Sequence, residues 1–224
     1  MDKEFAAGFM ITRRTVEDDK YGKANQAAMW LGHAANMTYE YRGGALLDDA
    51  GTGTLFKGID GLALCHTAHT LINSSSTVSN KMASPVGFGI TGITALLDLA
   101  QNVKDQNGDP IVVTPDTVIY NPSNITKAIQ IFGSALEPFT ADNQDNAIPK
   151  RMPRAKHIVK RYVTDSASYM LMDSSENDAW FLVRRAVEFD DTFDFDTDAA
   201  KYKVTTRFLI WFVKWWSWFG VFPS

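Results

Sequence analysis

The longest regular pattern of apolar positions runs from Thr15 to Leu47, and it is typical of one long amphipathic helix. Small residues recur there at intervals of three and four positions, so they fall on one helical face. The members of this face are Ala24, Ala27, Ala28, Leu31, Ala34, Ala35, Thr38 and Ala45. Because most of these side chains are very small, another layer can approach closely. We predict that this face packs against a sheet.

The limits of this helix are marked by local signals. Thr15 and Asp18 have the spacing of a capping box. Gly43 and Gly44 favour the left-handed conformation that ends helices. The pattern therefore predicts a helix over residues 16–42, roughly 40 Å long at the standard rise.

Two further helices are predicted downstream. Ser84-Pro85 has the form of a helix start, and Asn107-Gly108 turns the chain after it. The apolar face between them comprises Ile93, Leu96, Leu97, Ala100 and Val103. Asn121-Pro122 begins a third helix, which ends at Gly133. Its predicted buried face comprises Ile125, Ala128, Ile129 and Phe132.

Strands are predicted where β-branched and aromatic residues cluster. Residues 1–14 are extended and can form a short strand, and residues 110–120 contain two short β-branched runs. The runs at 157–163, 169–172 and 179–185 predict an antiparallel meander. Phenylalanines then alternate with aspartates, which predicts an edge strand with buried rings and solvated carboxylates; these are Phe189, Phe193 and Phe195 with Asp190, Asp191, Asp194, Asp196 and Asp198.

The aromatic C-terminal run, residues 208–222, predicts one long strand or a hairpin within 203–219. It is too short to span a bilayer as a helix, and Lys214 lies in its middle. Tryptophans are also enriched at membrane surfaces, so an interfacial anchor is the alternative. We predict strand structure over 208–219, with apolar side chains on both faces.

Composition narrows the class of protein. With 224 residues, 45% of them hydrophobic and 21% charged, the chain is long enough for a real core. The formal net charge of -4 argues against a protein whose main task is gripping nucleic acid phosphates. The single Cys65 excludes an internal disulfide and fits a reducing compartment, and no secretory signal precedes the first helix.

Two clusters invite a metal or catalytic interpretation. Cys65, His66 and His69 form a C-H-x-x-H pattern, but no fourth ligand or orienting group lies nearby in sequence. We predict that this cluster is structural and metal-free. The aspartate run resembles the start of a calcium loop, yet Ala199 and Thr205 stand where the glycine and the bidentate glutamate belong. We therefore predict no catalytic, cofactor-binding or metal site, and no enzyme.

An ordered set of short segments resembles the major capsid proteins of tailed bacteriophages, specifically the Mu-like prophage major head subunit group. The segments are 8–26, 60–71 with Ser79-Asn80, 108–115, 121–134, 143–146, 178–182 and the aromatic C-terminus. Each is weakly specific, and their order along the chain is the stronger signal.

The resemblance implies an α+β fold, the Johnson fold of phage capsid proteins, with a long spine helix at 16–42. Residues 1–83 would form the peripheral domain with the spine helix and following loops, 84–172 the axial domain, and 173–224 the strands that return to the peripheral domain. In the family an N-terminal arm and an extended loop precede the spine helix. Only about fifteen residues do so here, too few for both at ordinary strand rise. The chain is then either a truncated fragment or a subunit with fewer clasping contacts.

The function implied is that of a structural protein that self-assembles as pentamers and hexamers into an icosahedral shell around phage DNA. Its partners would be further copies of itself, with scaffold, portal and decoration proteins, and DNA contacted without sequence specificity; no membrane is expected. The location would be the virion, after assembly in the host bacterial cytoplasm. The alternatives are an encapsulating nanocompartment subunit of the same fold and a membrane-associated protein anchored by the C-terminal aromatics.

Overall fold

The computed structural model describes residues 3–19, 22–72, 75–137 and 144–223, without the side chain of Ala24. Within these described residues the chain forms five helices and nine strands. The helices are α1 (Arg13–Glu17), α2 (Lys23–Asp48), α3 (Ile90–Gln101), α4 (Ile125–Gly133) and α5 (Ile148–Arg151). The strands are β1 (Lys3–Thr12), β2 (His69–Thr70), β3 (Thr77–Val78), β4 (Thr117–Tyr120), β5 (Lys156–Val159), β6 (Tyr169–Met172), β7 (Ala179–Asp194), β8 (Ala199–Phe212) and β9 (Trp218–Val221). Short 3-10 turns occupy Asp49–Gly51 and Pro122–Asn124.

The chain divides into two compact units. Unit 1 comprises Met1–Gly43 and Trp180–Ile210, and unit 2 comprises Gly44–Ala179 and Trp211–Ser224. Residues 44–83, which the sequence analysis groups with the spine helix, thus belong to unit 2. The assignment of peripheral and axial domains stays a prediction.

Unit 1 consists of α2 on a three-stranded sheet of order β1-β8-β7. Strand β1 pairs antiparallel with β8, as in Phe9 opposite Tyr202. Leu31 and Ala35 of α2 are buried together with Val204 of β8. The predicted packing of the small-residue face against a sheet is therefore confirmed at Ala35.

The predicted limits of the long helix are wrong at both ends. Thr12, not Thr15, caps the short α1, and α2 begins only at Lys23, whose amide donates to the Asp19 carboxylate at 2.9 Å. At the other end the helix continues through the glycine pair to Asp48. A Cβ on Gly44 would lie 2.3 Å from the Cβ of Tyr162, so this glycine serves close packing rather than a left-handed turn.

Unit 2 is built on a four-stranded sheet of order β5-β4-β6-β9. Strands β4 and β5 are parallel, whereas β6 pairs antiparallel with both β4 and β9. The predicted meander is therefore wrong: α4 and α5 supply the crossover that a parallel β4–β5 pair needs, and β7 belongs to the sheet of unit 1. The two β-branched runs at 110–120 yield only one strand, β4.

The helices of unit 2 bury most of the predicted apolar faces. All five predicted positions of the second helix are buried, although α3 begins at Ile90 after Gly89 and not at Pro85. The Asn121 cap is confirmed, since its side chain accepts from the Ser123 amide at 3.0 Å. In α4, however, Ala128 and Ile131 are buried while Ile125 and Ile129 are exposed.

The C-terminal aromatic run forms strands, as predicted, but β8 and β9 lie in different sheets and do not form a hairpin. Phe208, Phe212, Trp215 and Trp218 are buried. These side chains are therefore not available to anchor the chain on a membrane. Among the described residues, the helices are all too short or too polar to cross a bilayer.

Candidate functional site

A continuous run of exposed apolar side chains lies on β7, one of the two edge strands of the unit 1 sheet. None of its sixteen residues is buried. Four consecutive large side chains, Trp180, Phe181, Leu182 and Val183, are 62%, 48%, 64% and 47% exposed. A long apolar edge strand offers both its side chains and one row of backbone hydrogen-bonding groups to another chain. β7 therefore has the properties of an association surface.

Local contacts hold β7 in place without covering it. Phe181 packs near the rings of Tyr39 and Phe208, and Thr206 donates its hydroxyl to the Arg185 carbonyl at 3.1 Å. The Arg185 guanidinium also lies 3.3 Å from the Glu4 carboxylate on β1. Exposed ion pairs of this kind contribute little stability. The strand is thus fixed mainly by its pairing with β8.

The second half of β7 and the turn that follows are acidic. The carboxylates are those of Glu188, Asp190, Asp191, Asp194, Asp196 and Asp198. Lys201 and Lys203 of β8 pair with Asp194 and Asp190, and the hydrogen bond from Lys201 lowers the pKa of Asp194. The phenylalanines that alternate with these acids are exposed, so the prediction that they are buried is wrong. β7 is an edge strand, as predicted, but no other described element of the chain covers these rings closely enough to bury them.

The C-H-x-x-H cluster lies in the loop region of unit 2. Cys65 and His69 are fully buried, and burial raises the pKa of the Cys65 thiol. A thiol that stays protonated is a poor nucleophile and a poor metal ligand. Within the described residues, no three His, Cys, Asp or Glu side chains are placed to hold a metal ion. That the cluster is metal-free stays a prediction, which zinc analysis of the purified protein and of Cys65→Ser tests.

His69 is held by three neighbours that sequence spacing does not indicate. Its Nδ1 lies 2.6 Å from the Asp60 carboxylate and its Nε2 3.1 Å from Asn80 Oδ1, while its ring stacks on Trp215 at 4.1 Å. Burial alone would raise the pKa of Asp60, but the hydrogen bonds from His69 and the Leu62 amide lower it. Asp60 is therefore a charged acceptor within the fold.

Asn80 is the centre of this network. Its side-chain amide nitrogen lies within 2.8 to 2.9 Å of the carbonyl oxygens of Leu64, Trp215 and Trp218. Its Oδ1 accepts from the His66 amide at 2.8 Å. Since every polar atom of this buried side chain has a partner, the arrangement joins the loop to the C-terminal segment. It positions the backbone of both segments.

Asp49 organises the loop after α2 in the same manner. Its carboxylate accepts from the Thr52 hydroxyl and from the amides of Thr54, Leu55 and Phe56 at 2.7 to 2.8 Å. Burial would raise the pKa of Asp49, yet these hydrogen bonds lower it. Asp49, Asp60, His69 and Asn80 of unit 2 thus organise the fold, whereas β7 carries a continuous run of accessible apolar side chains.

Comparison with known protein families identifies the family of this chain. The sequence model of the family described as phage capsid protein matches residues 3–221, so the chain belongs to the phage capsid protein family. It is a structural protein of the capsid shell. No curated protein matches the chain.

Solved capsids share the fold. The capsid of Myoviridae phage XM1 matches with a TM-score of 0.57 at 9% identity, covering 98% of this chain and 72% of that chain. The capsid of Microbacterium phage Oxtober96 gives 0.57 at 11% identity, covering 100% and 73%. The virus-like particle from Pyrococcus furiosus gives 0.55 at 12% identity, covering 99% and 77%. The predicted α+β capsid fold is confirmed, and nothing here favours the nanocompartment alternative.

Proposed function

We propose that the chain is the major head subunit, that it forms pentamers and hexamers, and that β7 is one of the surfaces through which copies associate. The observation that supports this role for β7 is its four consecutive exposed apolar residues on a sheet edge. Burying such side chains supplies roughly 25 cal/mol per Å². Assembly that buries these side chains therefore lowers the free energy of the subunits.

The finer assignments rest on the resemblance and on the family. The resemblance to the Mu-like group supports placement in that group and the correspondence of the two units to peripheral and axial domains. It also supports assembly in the host cytoplasm around DNA, with scaffold and portal proteins as partners. The absence of an enzymatic role follows from a structural family. It accords with unit 2, where His69, Asp60 and Asn80 form hydrogen bonds with each other and with the backbone.

The experiment removes apolar surface from β7 without touching the core. Trp180→Ser with Leu182→Ser should abolish shells and capsomers in negative-stain micrographs and leave a folded, slowly sedimenting species. The matched control is Val112→Ser with Ile129→Ser, which removes two apolar side chains of unit 2 that are at least as exposed.

The control should assemble like the unmodified chain. Equal assembly by the β7 variant and the control would remove β7 from the interface. If the unmodified chain itself stays monomeric at every salt concentration, assembly by this chain alone is refuted.

A further inference from the structure

The highest density of basic residues along the chain is in residues 150–161 of unit 2. This segment carries six Lys and Arg and no Asp or Glu, so the other sixteen Lys and Arg share the rest of the chain with twenty-six acidic residues, a formal charge of -10. The six are Lys150, Arg151, Arg154, Lys156, Lys160 and Arg161. In an acidic protein, such a concentration marks a separate electrostatic surface.

Part of this charge is neutralised within the fold. Lys150 pairs with Asp145 at 2.8 Å, Arg151 with Asp98 at 2.8 Å, and Lys156 with Asp116 at 3.3 Å. Arg154 and Arg161 are exposed and make no ion pair with any described residue. These two arginines are therefore the donors available to an outside anion.

The segment has a rigid support. Strand β5 pairs parallel with β4, and the ring of His157 lies edge-on to Phe132 of α4 with ring centroids 4.8 Å apart. Partial burial lowers the pKa of His157, so this residue adds no positive charge at neutral pH. The two arginines thus flank an ordered edge strand of the unit 2 sheet.

Edge strands are often protected by lysine, which is the simplest explanation for charge on β5. That explanation covers Lys156 alone. Arg154 lies before the strand and Arg161 after it, and α5 contributes two more basic residues. Arginine also presents a planar fork of hydrogen-bond donors that matches phosphate oxygens, a geometry that solubility alone does not require.

We propose that residues 150–161 form a surface that binds the phosphate backbone of double-stranded DNA without reading its sequence. The proposal rests on the proposed capsid function, because a shell that encloses nucleic acid presents one face to that polyanion. The remaining acidic surface repels DNA, so contact is confined to this segment. Binding through charge alone is weak and strongly dependent on salt.

The test uses the full chain and a short fluorescent duplex, with binding followed by anisotropy across a series of salt concentrations. The plot of log affinity against log salt should be less steep by about 1.8 for Arg154→Ser with Arg161→Ser, because each lost phosphate contact removes about 0.9. Two duplexes of unrelated sequence should behave alike. The matched control is Arg13→Ser with Arg14→Ser, two exposed arginines of α1 outside the segment, which should leave the slope unchanged.

Equal slopes for the unmodified chain and the Arg154/Arg161 variant would overturn the proposal. So would an equal loss in the control, or binding to anionic phospholipid vesicles without binding to DNA. Shell formation is scored separately by electron microscopy, and the Arg154/Arg161 variant should still assemble. Failure of DNA binding with intact shells concerns this segment, whereas failure of the unmodified chain to assemble concerns the capsid function.

Discussion

Strands β6 and β7 are separated by six residues in the chain, and both are rich in large apolar side chains. All four residues of β6 are buried, yet none of the sixteen of β7 is. Strand β6 lies inside its sheet between β4 and β9, whereas β7 is an outer strand. An apolar strand therefore does not reveal whether its cover comes from the same chain or from another. In unit 2 the chain supplies the cover, and in unit 1 we assign it to a second subunit.

The sharpest test of this comparison truncates one leucine in each strand. Leu171 of β6 is 0% exposed and Leu182 of β7 is 64% exposed. Leu171→Ala should lower the free energy of unfolding of the unassembled chain by about 2–5 kcal/mol. Leu182→Ala should change it by less than about 0.5 kcal/mol. Urea unfolding measures both, and similar losses would show that β7 is covered within its own chain.

A second test concerns the helical face that packs on the unit 1 sheet. Ala35 is buried beside Leu31 and Val204, so Ala35→Leu should overpack this site and cost about 1–3 kcal/mol. Its neighbour Ala34 is exposed, and Ala34→Leu serves as the control with the same added volume. Ala28 is only half-buried, so Ala28→Leu should cost less than Ala35→Leu. Unchanged melting temperatures for both buried-face variants would refute close packing there.

The smallest expected effect is the pH dependence contributed by Asp116, which lies just before β4. Burial would raise its pKa, but hydrogen bonds from Ser174, Thr117 and Lys156 lower it from 3.8 to about 2. The folded state therefore binds this proton less readily than the unfolded state, and the stabilisation is present above pH 3.8 and lost as pH falls toward 2. Asp116→Asn removes this term. The stability difference between the two proteins should shrink over that interval, and a constant difference would contradict the assignment.

The sequence predicted the helices and strands better than it predicted which of them lie side by side. The long helix, the α3 face, the Asn121 cap and the C-terminal strands follow from local periodicity and capping chemistry, which residues close in sequence determine. The C-terminal end of α2 was not predicted, because Gly44 meets Tyr162, a residue more than a hundred positions away in the chain. The parallel pairing of β5 depends likewise on which strand lies beside it. The exposure of Phe189, Phe193 and Phe195 depends on which elements cover that part of the chain.

The candidate surfaces show the same limit. The apolar run at 180–183 and the basic segment at 150–161 are visible in the sequence. The alternation of phenylalanine and aspartate predicts an edge strand at the end of β7, but only the sheet order shows that β5 is one as well. The Asp60, His69 and Asn80 network carries a partial signal, since these residues fall within or beside one segment of the family resemblance. No sequence signal indicated the contacts of Asn80 with Trp215 and Trp218, because about 135 residues separate the partners.

The position of β9 has a consequence for protein synthesis. This strand forms one side of the unit 2 sheet, and the carbonyls of Trp215 and Trp218 complete the hydrogen bonds of Asn80. Unit 2 therefore cannot close until the ribosome has released residues near 221, long after its first strands have emerged. A polypeptide cut short before that point would keep an open sheet and an unsatisfied amide, and cellular proteases act on such chains. The fold thus favours the incorporation into a shell of subunits translated beyond β9, because one defective copy would affect its neighbours.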